Sequence, residues 1–268
     1  MSSRIKKAQE AYDKKDIELA KEAHKKEVIE KHFREEEHSE GRGQYLGEFV
    51  YGAIDGTVTT FAVVSGATGA ALSPMIVIIL GFANLIADGF SMACGNFLSE
   101  KAQKDYIDKE RKREEWEIKN MPEGEIEEIR GIFKKKGFKG KDLKRAVEVV
   151  TSNDKVWVNT MMVDELGLLE SSKSPWKTAG MTYFGFLIIG IIPLLAYVLS
   201  YFIEFFEKYT FPTAVFMTFV ALSIIGIIKR HVTKKNLLAS VLETLFIGGA
   251  AAVIAYYIGF FLRWLAAL

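Results

Sequence analysis

The chain has 268 residues, of which 49% are hydrophobic and 26% are charged, and its 35 basic residues nearly balance its 34 acidic ones. A formal net charge of +1 gives no global field that would attract nucleic acid, so we exclude nucleic-acid binding. The single cysteine, Cys94, excludes an internal disulfide, CxxC metal sites and iron–sulfur clusters. Any bound metal must therefore be held mainly by oxygen, imidazole or thioether ligands.

The mean hydropathy of +0.11 averages strongly polar and strongly apolar stretches, and this segregation is typical of a membrane protein. Residues 1–43 are rich in Lys and Glu and predict a charged helical segment. Residues 44–99 contain two apolar stretches joined at Ser73-Pro74, and each has the roughly 20 residues that a bilayer core requires. They predict transmembrane helices 1 and 2, arranged as a hairpin.

Residues 100–177 are strongly charged and predict several short helices, separated near residues 121–122, 136–137 and 152–153. Pro122 suits a helix start, because its missing N–H costs nothing there. Three further apolar stretches follow within residues 178–268, at about 179–203, 211–228 and 239–267. The expected fold class is therefore all-α: a polytopic membrane protein with five transmembrane helices and a helical domain between helices 2 and 3.

The distribution of basic residues predicts the orientation of these spans. Lys229, Arg230, Lys234 and Lys235 lie between spans four and five, whereas only Lys208 lies between spans three and four. Basic residues in short loops favour the cytoplasmic side. With five crossings, the N-terminus and the charged insert are then expected in the cytoplasm.

Acidic residues inside the apolar stretches are the first candidate functional groups, since a charge at the bilayer centre costs at least about 2.5 kcal/mol. Asp55 lies in the first span among small residues, and Glu48 lies on nearly the same helical face. On the second span a stripe with four-residue spacing carries possible oxygen and thioether ligands: Asn84, Asp88, Met92 and Asn96. Two structural roles are the alternatives to metal transport. Asp55 could be a buried, protonated acid that serves helix packing, and Met92 could be an ordinary packing residue.

The insert carries a second group of candidates, with carboxylates spaced three apart on two successive helices and a further acid beside two methionines. These residues are Glu114, Glu117, Glu125, Glu128, Met161, Met162 and Glu165. If the three segments converge, they form an oxygen-rich site with thioether ligands available, suited to a divalent first-row cation. Taken alone, such Glu spacings are more typical of a solvated helix face.

These motifs, in order and with matching spacing, resemble the vacuolar iron transporter family from about residue 44 to the C-terminus. They are residues 55–66, Ser91-Met92, residues 112–114 with Glu117 and Pro122, Met161-Met162 with residues 165–168, and residues 248–252.

The resemblance implies a homodimeric exporter of cytosolic Fe(II) coupled to protons, with a cytoplasmic metal-binding domain between helices 2 and 3. It also implies that Asp55 and Met92 lie on the translocation path. The insert residues Glu114, Glu117, Glu125, Glu128, Met161 and Glu165 would bind metal, and Met162 would join them. Fe(II) would be the substrate, and we expect no permanently bound cofactor.

The sequence departs from the family in two places. Plant members carry a glutamate on the second span where this chain has Asn84, and Asp88 follows one turn later. A displaced carboxylate would preserve the negative charge of the path; otherwise the coupling or the metal preference changes. The N-terminal segment is longer than expected and contains Glu35 and His38, which we interpret as part of a solvated helix because a second Glu-x-x-His is absent from the sequence.

Three other functions are compatible with parts of this pattern, or are excluded by it. The transported ion could be Mn(II) or Co(II), because carboxylate ligands discriminate poorly among these ions. A membrane-anchored metal sensor or buffer would need no buried acids in its helices. An enzyme is not expected, since the sequence has no nucleophile-and-base pattern and no phosphate-binding loop. The expected location is the vacuolar membrane in a eukaryote or the cytoplasmic membrane in a prokaryote.

Overall fold

The computed structural model describes residues 3–28, 30, 44–170, 173–233 and 237–266. Within these ranges the regular structure is helical throughout and contains no strand, which confirms the all-α class. Five helical segments are long and apolar enough to cross a membrane, as predicted. Glu35 and His38 lie outside the described residues.

The chain divides into two compact units. One consists of Met1–Cys94 together with Lys177–Leu268 and is called the membrane unit here. The other, Gly95–Trp176, is called the insert unit.

Two short helices open the membrane unit, α1 (Ser3–Lys14) and α2 (Ile17–Ala23). The side chain of Asp16 caps α2 by accepting a hydrogen bond from the backbone N–H of Leu19. Lys7 on α1 forms an exposed ion pair with Glu22 on α2. The two helices are therefore joined by a capped turn and a surface ion pair.

The first two spans follow the hydropathy pattern closely at the hairpin. They lie in α3 (Leu46–Gly69) and in the apolar first half of α4 (Pro74–Asn120). α4 is a single helix of 47 residues, so the first charged helix predicted for the insert is a continuation of the second span.

The third span is interrupted, which the hydropathy pattern did not predict. It consists of α8 (Pro175–Gly190) and α9 (Ile192–Leu199), separated at Ile191. Pro193, in the first turn of α9, has no N–H to continue the hydrogen-bonding pattern of α8. A short connecting helix, α10 (Glu204–Lys208), leads to the last two spans, α11 (Thr210–Thr233) and α12 (Leu237–Ala266).

Glycines bring the backbone of α3 against that of the third span around Asp55. A Cβ atom at Gly56 would lie 2.5 Å from the carbonyl oxygen of Phe186, and one at Gly52 would overlap the carbonyl oxygen of Thr182. The phenyl ring of Phe186 is itself fully buried in the core of the membrane unit. Small residues thus allow the close helix approach expected from the sequence around Asp55.

The insert unit contains the second half of α4, followed by α5 (Pro122–Lys135), α6 (Gly140–Thr151), α7 (Asp154–Thr160) and a π-helix (Met161–Glu165). Its helices enclose an apolar core that includes Ile118, Ile129, Trp157, Met161 and Met162. Pro122 lies in the first turn of α5, where the sequence predicted a helix start.

Candidate metal centre

Three carboxylates converge in the insert unit where α4 ends and α5 begins. Glu114 and Glu117 lie on the last turns of α4, and Glu125 lies in the first turn of α5. Ligand oxygens from these three side chains all lie within 4.8 Å of one another. We call these three residues the acid cluster. A divalent cation bound by oxygen ligands requires this kind of convergence.

Two members of the acid cluster are buried. Glu114 is 1% exposed and Glu125 is 6% exposed. The interpretation of these carboxylates as part of a solvated helix face is therefore wrong for both. The reason is that α5 begins immediately after α4 and brings Glu125 to Glu114 and Glu117, which spacing along one helix cannot reveal.

The buried oxygens of these two residues lack the partners that buried carboxylates normally have. Glu114 Oε2 and Glu125 Oε2 accept no hydrogen bond from any residue that the structure describes. An ionised carboxylate in such a position is costly unless a proton or a cation compensates it. The acid cluster is thus chemically suited to take up a cation.

Further carboxylates surround the acid cluster and change its protonation. Burial, followed by the charges of Glu128 and Glu114, raises the pKa of Glu125 to about 7. Burial and Glu128 likewise raise the pKa of Glu165 to about 7, and Glu165 shares a hydrogen bond with Glu128. Burial raises the pKa of Glu114 as well. Protons and metal ions would therefore compete at this site near neutral pH.

The π-helix determines where the predicted thioether ligands and Glu165 lie. Met161 and Met162 are 0% and 1% exposed and belong to the apolar core of the insert unit. Glu165, at the end of the same element, is an exposed residue by its surface area, although its carboxyl group is partly desolvated by its neighbours. π-Helical turns of this kind occur frequently at functional sites. A ligand role for the two methionines stays a prediction.

Arg113 pairs with three glutamates in this region, a role that was not predicted from the sequence. Its guanidinium group forms ion pairs with Glu110 at 2.9 Å, with Glu114 at 2.8 Å and with Glu117 at 2.9 Å. Two of these partners stand three residues before and four residues after Arg113 on α4. Such spacings bring side chains together on a helix, so the sequence did contain a signal for these pairs.

The membrane unit contains the other group of predicted residues. Asp55 on α3 is half-buried, and so is Asp88 on α4, and the two carboxylates lie close enough for their charges to interact. Glu48 is also half-buried and lies in the first turn of α3. Two acids from successive spans therefore lie within reach of each other's charge in the membrane unit.

The residues of the predicted stripe on α4 share the same degree of burial. Asn84, Asp88, Met92 and Asn96 are all half-buried, and Asn96 belongs to the part of α4 assigned to the insert unit. The amide nitrogen of Asn84 is buried and donates no hydrogen bond to any described residue. The stripe thus combines a carboxylate, an amide and a thioether on one helix face.

Comparison with known proteins adds independent evidence. The VIT family profile matches residues 46–260. The chain is 35% identical to the vacuolar iron transporter of Plasmodium berghei, over 96% of this chain and 95% of that protein. It is 33% identical to the vacuolar iron transporter of Toxoplasma gondii, over 96% of this chain and 88% of the relative. It is also 32% identical to vacuolar iron transporter 1 of Arabidopsis thaliana, over 85% and 87% of the two chains.

Matches that cover 96% of the chain extend beyond the region in which the sequence motifs were recognised. The likeness to these relatives therefore includes part of the N-terminal segment before residue 44, although that segment was expected to depart from the family. With the five apolar helices, the comparisons identify an integral membrane protein. The chain belongs to the VIT family.

Proposed function

We propose that this protein transports Fe(II) across a membrane, out of the cytoplasm, in exchange for protons. The observation that carries the proposal is the pair of carboxylates, Asp55 and Asp88, that interact within the membrane unit. Relatives named vacuolar iron transporters support iron as the substrate. The location would be a vacuolar membrane in a eukaryotic cell or the cytoplasmic membrane in a prokaryote.

The exchange follows from the chemistry of the carboxylates. A carboxylate that binds a dication must first lose its proton, so binding of one expels the other. Two acids within reach of each other's charge strengthen this competition, because two such negative charges in an apolar setting are unfavourable without a cation. Alternating exposure of Asp55 and Asp88 to the two sides would turn competition into exchange.

The insert unit would capture metal before transport. Its acid cluster offers buried oxygens that lack hydrogen-bond donors among the described residues. Glu128, Glu165, Met161 and Met162 would supply further ligands. The basic loop between spans four and five supports a cytoplasmic position for this unit. Capture on that side would raise the local metal concentration for export.

Mn(II) and Co(II) are alternative substrates of the same mechanism. Carboxylate oxygens bind all of these ions, and affinity alone ranks them by the Irving–Williams order rather than by biological role. We propose a homodimer as the functional unit, on the resemblance to the family.

The second candidate function is a membrane-anchored metal sensor or buffer, in which only the insert unit acts. Asp55 separates the two hypotheses, because an anchor has no need of a half-buried acid between helices. In sealed liposomes, the transport hypothesis predicts that Asp55→Ala abolishes Fe(II) flux while Mn²⁺ binding by the insert unit persists. Normal flux through this variant would contradict the proposed role of Asp55.

Thr59→Ala provides a matched control on the same helix. The Thr59 hydroxyl donates to the backbone oxygen of Asp55, a local bond within α3, and its loss leaves the carboxylate in place. Flux through this variant should stay close to that of the wild type. A loss as complete as that of Asp55→Ala would show that damage to α3, and not loss of the carboxylate, stops transport.

A further inference from the structure

Arg113 contacts three carboxylates at once, and two of them belong to the acid cluster. Its Nε donates to Glu110 Oε2 and its Nη1 to Glu117 Oε2, both at 2.9 Å, and its Nη2 forms an ion pair with Glu114 Oε1 at 2.8 Å. A guanidinium group presents these donors in one rigid plane. The positions of three carboxylates on α4 are therefore coupled through a single side chain.

The contacts of Arg113 use one oxygen of Glu114 and one oxygen of Glu117, and leave the second oxygen of each available. Glu114 Oε1 is held by Arg113, whereas Glu114 Oε2 is buried and accepts no hydrogen bond from any described residue. Among the ion pairs of the described residues, Glu117 is likewise bound through Oε2 alone. Glu110 is held too, but it is not one of the three residues whose oxygens converge.

We infer that Arg113 is a positioning residue for the acid cluster, anchored by Glu110 and orienting Glu114 and Glu117 so that their remaining oxygens face one divalent cation. This inference rests on the proposed function, because it assigns a role within the capture site. Groups that hydrogen-bond to metal ligands fix ligand orientation, and their loss typically weakens metal binding about 10- to 100-fold.

The opposite role for Arg113 makes the opposite prediction. If the guanidinium group only occupied the place of a metal ion, its removal would abolish a competitor and strengthen metal binding. The geometry favours positioning, because Arg113 contacts Glu114 Oε1 and leaves Oε2 without a donor among the described residues. The sign of the change in affinity therefore decides between the two roles.

The test uses the full-length protein in detergent, with Mn²⁺ as the probe in isothermal titration calorimetry. Arg113→Gln removes the charge, and Arg113→Lys keeps the charge but loses the planar group of donors. The matched control is Arg130→Gln. Arg130 is 46% exposed against 43% for Arg113, and it pairs with Glu127, outside the acid cluster. Circular dichroism and gel filtration verify that each variant folds.

Positioning predicts that Arg113→Gln and Arg113→Lys each weaken Mn²⁺ binding about tenfold or more, while Arg130→Gln has no effect. It also predicts an altered Co²⁺ absorption spectrum at saturation, since a misoriented carboxylate changes the coordination geometry. Unchanged or tighter binding by Arg113→Gln, or full affinity in Arg113→Lys, would overturn the inference. Failure of the wild type to bind Mn²⁺ would overturn the capture site itself, and that result is visible before any variant is compared.

Discussion

Proton competition at the acid cluster makes metal affinity depend on pH. Burial and neighbouring carboxylates raise the pKa of Glu125 and that of Glu165 to about 7. For each such group that must ionise before binding, apparent affinity falls about tenfold between pH 8 and pH 6. If both groups bind the metal, we expect Mn²⁺ affinity to fall about 100-fold over this interval.

The assay is calorimetric titration of the full-length protein with Mn²⁺ at pH 6, 7 and 8. Glu165→Gln removes one titrating group, so the dependence should shrink to about tenfold. Glu127→Gln is the matched control, because Glu127 is exposed on α5 and pairs with Arg130. Equal affinity at pH 6 and pH 8, or a Glu165→Gln variant with the full wild-type dependence, would refute the reasoning.

Three further predictions concern stability, each measured on the purified full-length protein. Gly56→Ala should destabilise it by about 1 to 3 kcal/mol, seen as a lower Tm, because the added Cβ meets backbone atoms of the third span. Gly47→Ala is the control and should leave the Tm unchanged, because its Cβ would lie in open space. Without metal, hydrogen-exchange protection in the insert unit, relative to the intrinsic exchange rate at each pH, should fall between pH 5 and pH 8. The raised pKa of Glu125 means that the folded state binds more protons than the unfolded state, so stability present below the unfolded pKa is lost as pH rises through about 7. Equal or greater protection at pH 8 would contradict this. Tyr197→Phe should cost about 1 kcal/mol by removing its 2.6 Å hydrogen bond to Thr68, and an unchanged Tm would show that this bond contributes nothing.

The five spans could be predicted because the bilayer imposes a length and a composition on each. The hairpin at Ser73-Pro74 and the start of α5 at Pro122 followed from local backbone chemistry. The break at Ile191 was missed because hydropathy averages over a window and does not register Pro193. Composition therefore identified the five spans, while a single residue, Pro193, accounts for the break in the third span.

The burial of the acid cluster could not be predicted from the sequence. The three-residue spacing placed Glu114 and Glu117 on one face of a helix, but the burial of Glu114 depends on packing within the insert unit, whose apolar core includes Ile129. That information is tertiary and is not contained in spacing along one helix. The pairing of Arg113 with Glu110 and Glu117 was accessible from spacing, since helical neighbours three and four apart interact.

The most direct test of the central claim is Fe(II) flux into sealed liposomes that contain the purified protein, under reducing conditions and with an imposed pH gradient. Exchange through the membrane carboxylates predicts that Fe(II) uptake rises when the liposome interior is acidic and that protons leave as metal enters. Mn²⁺ measured in parallel ranks the substrates. Metal that binds to the protein without flux in either gradient direction would contradict transport and favour a sensor or buffer.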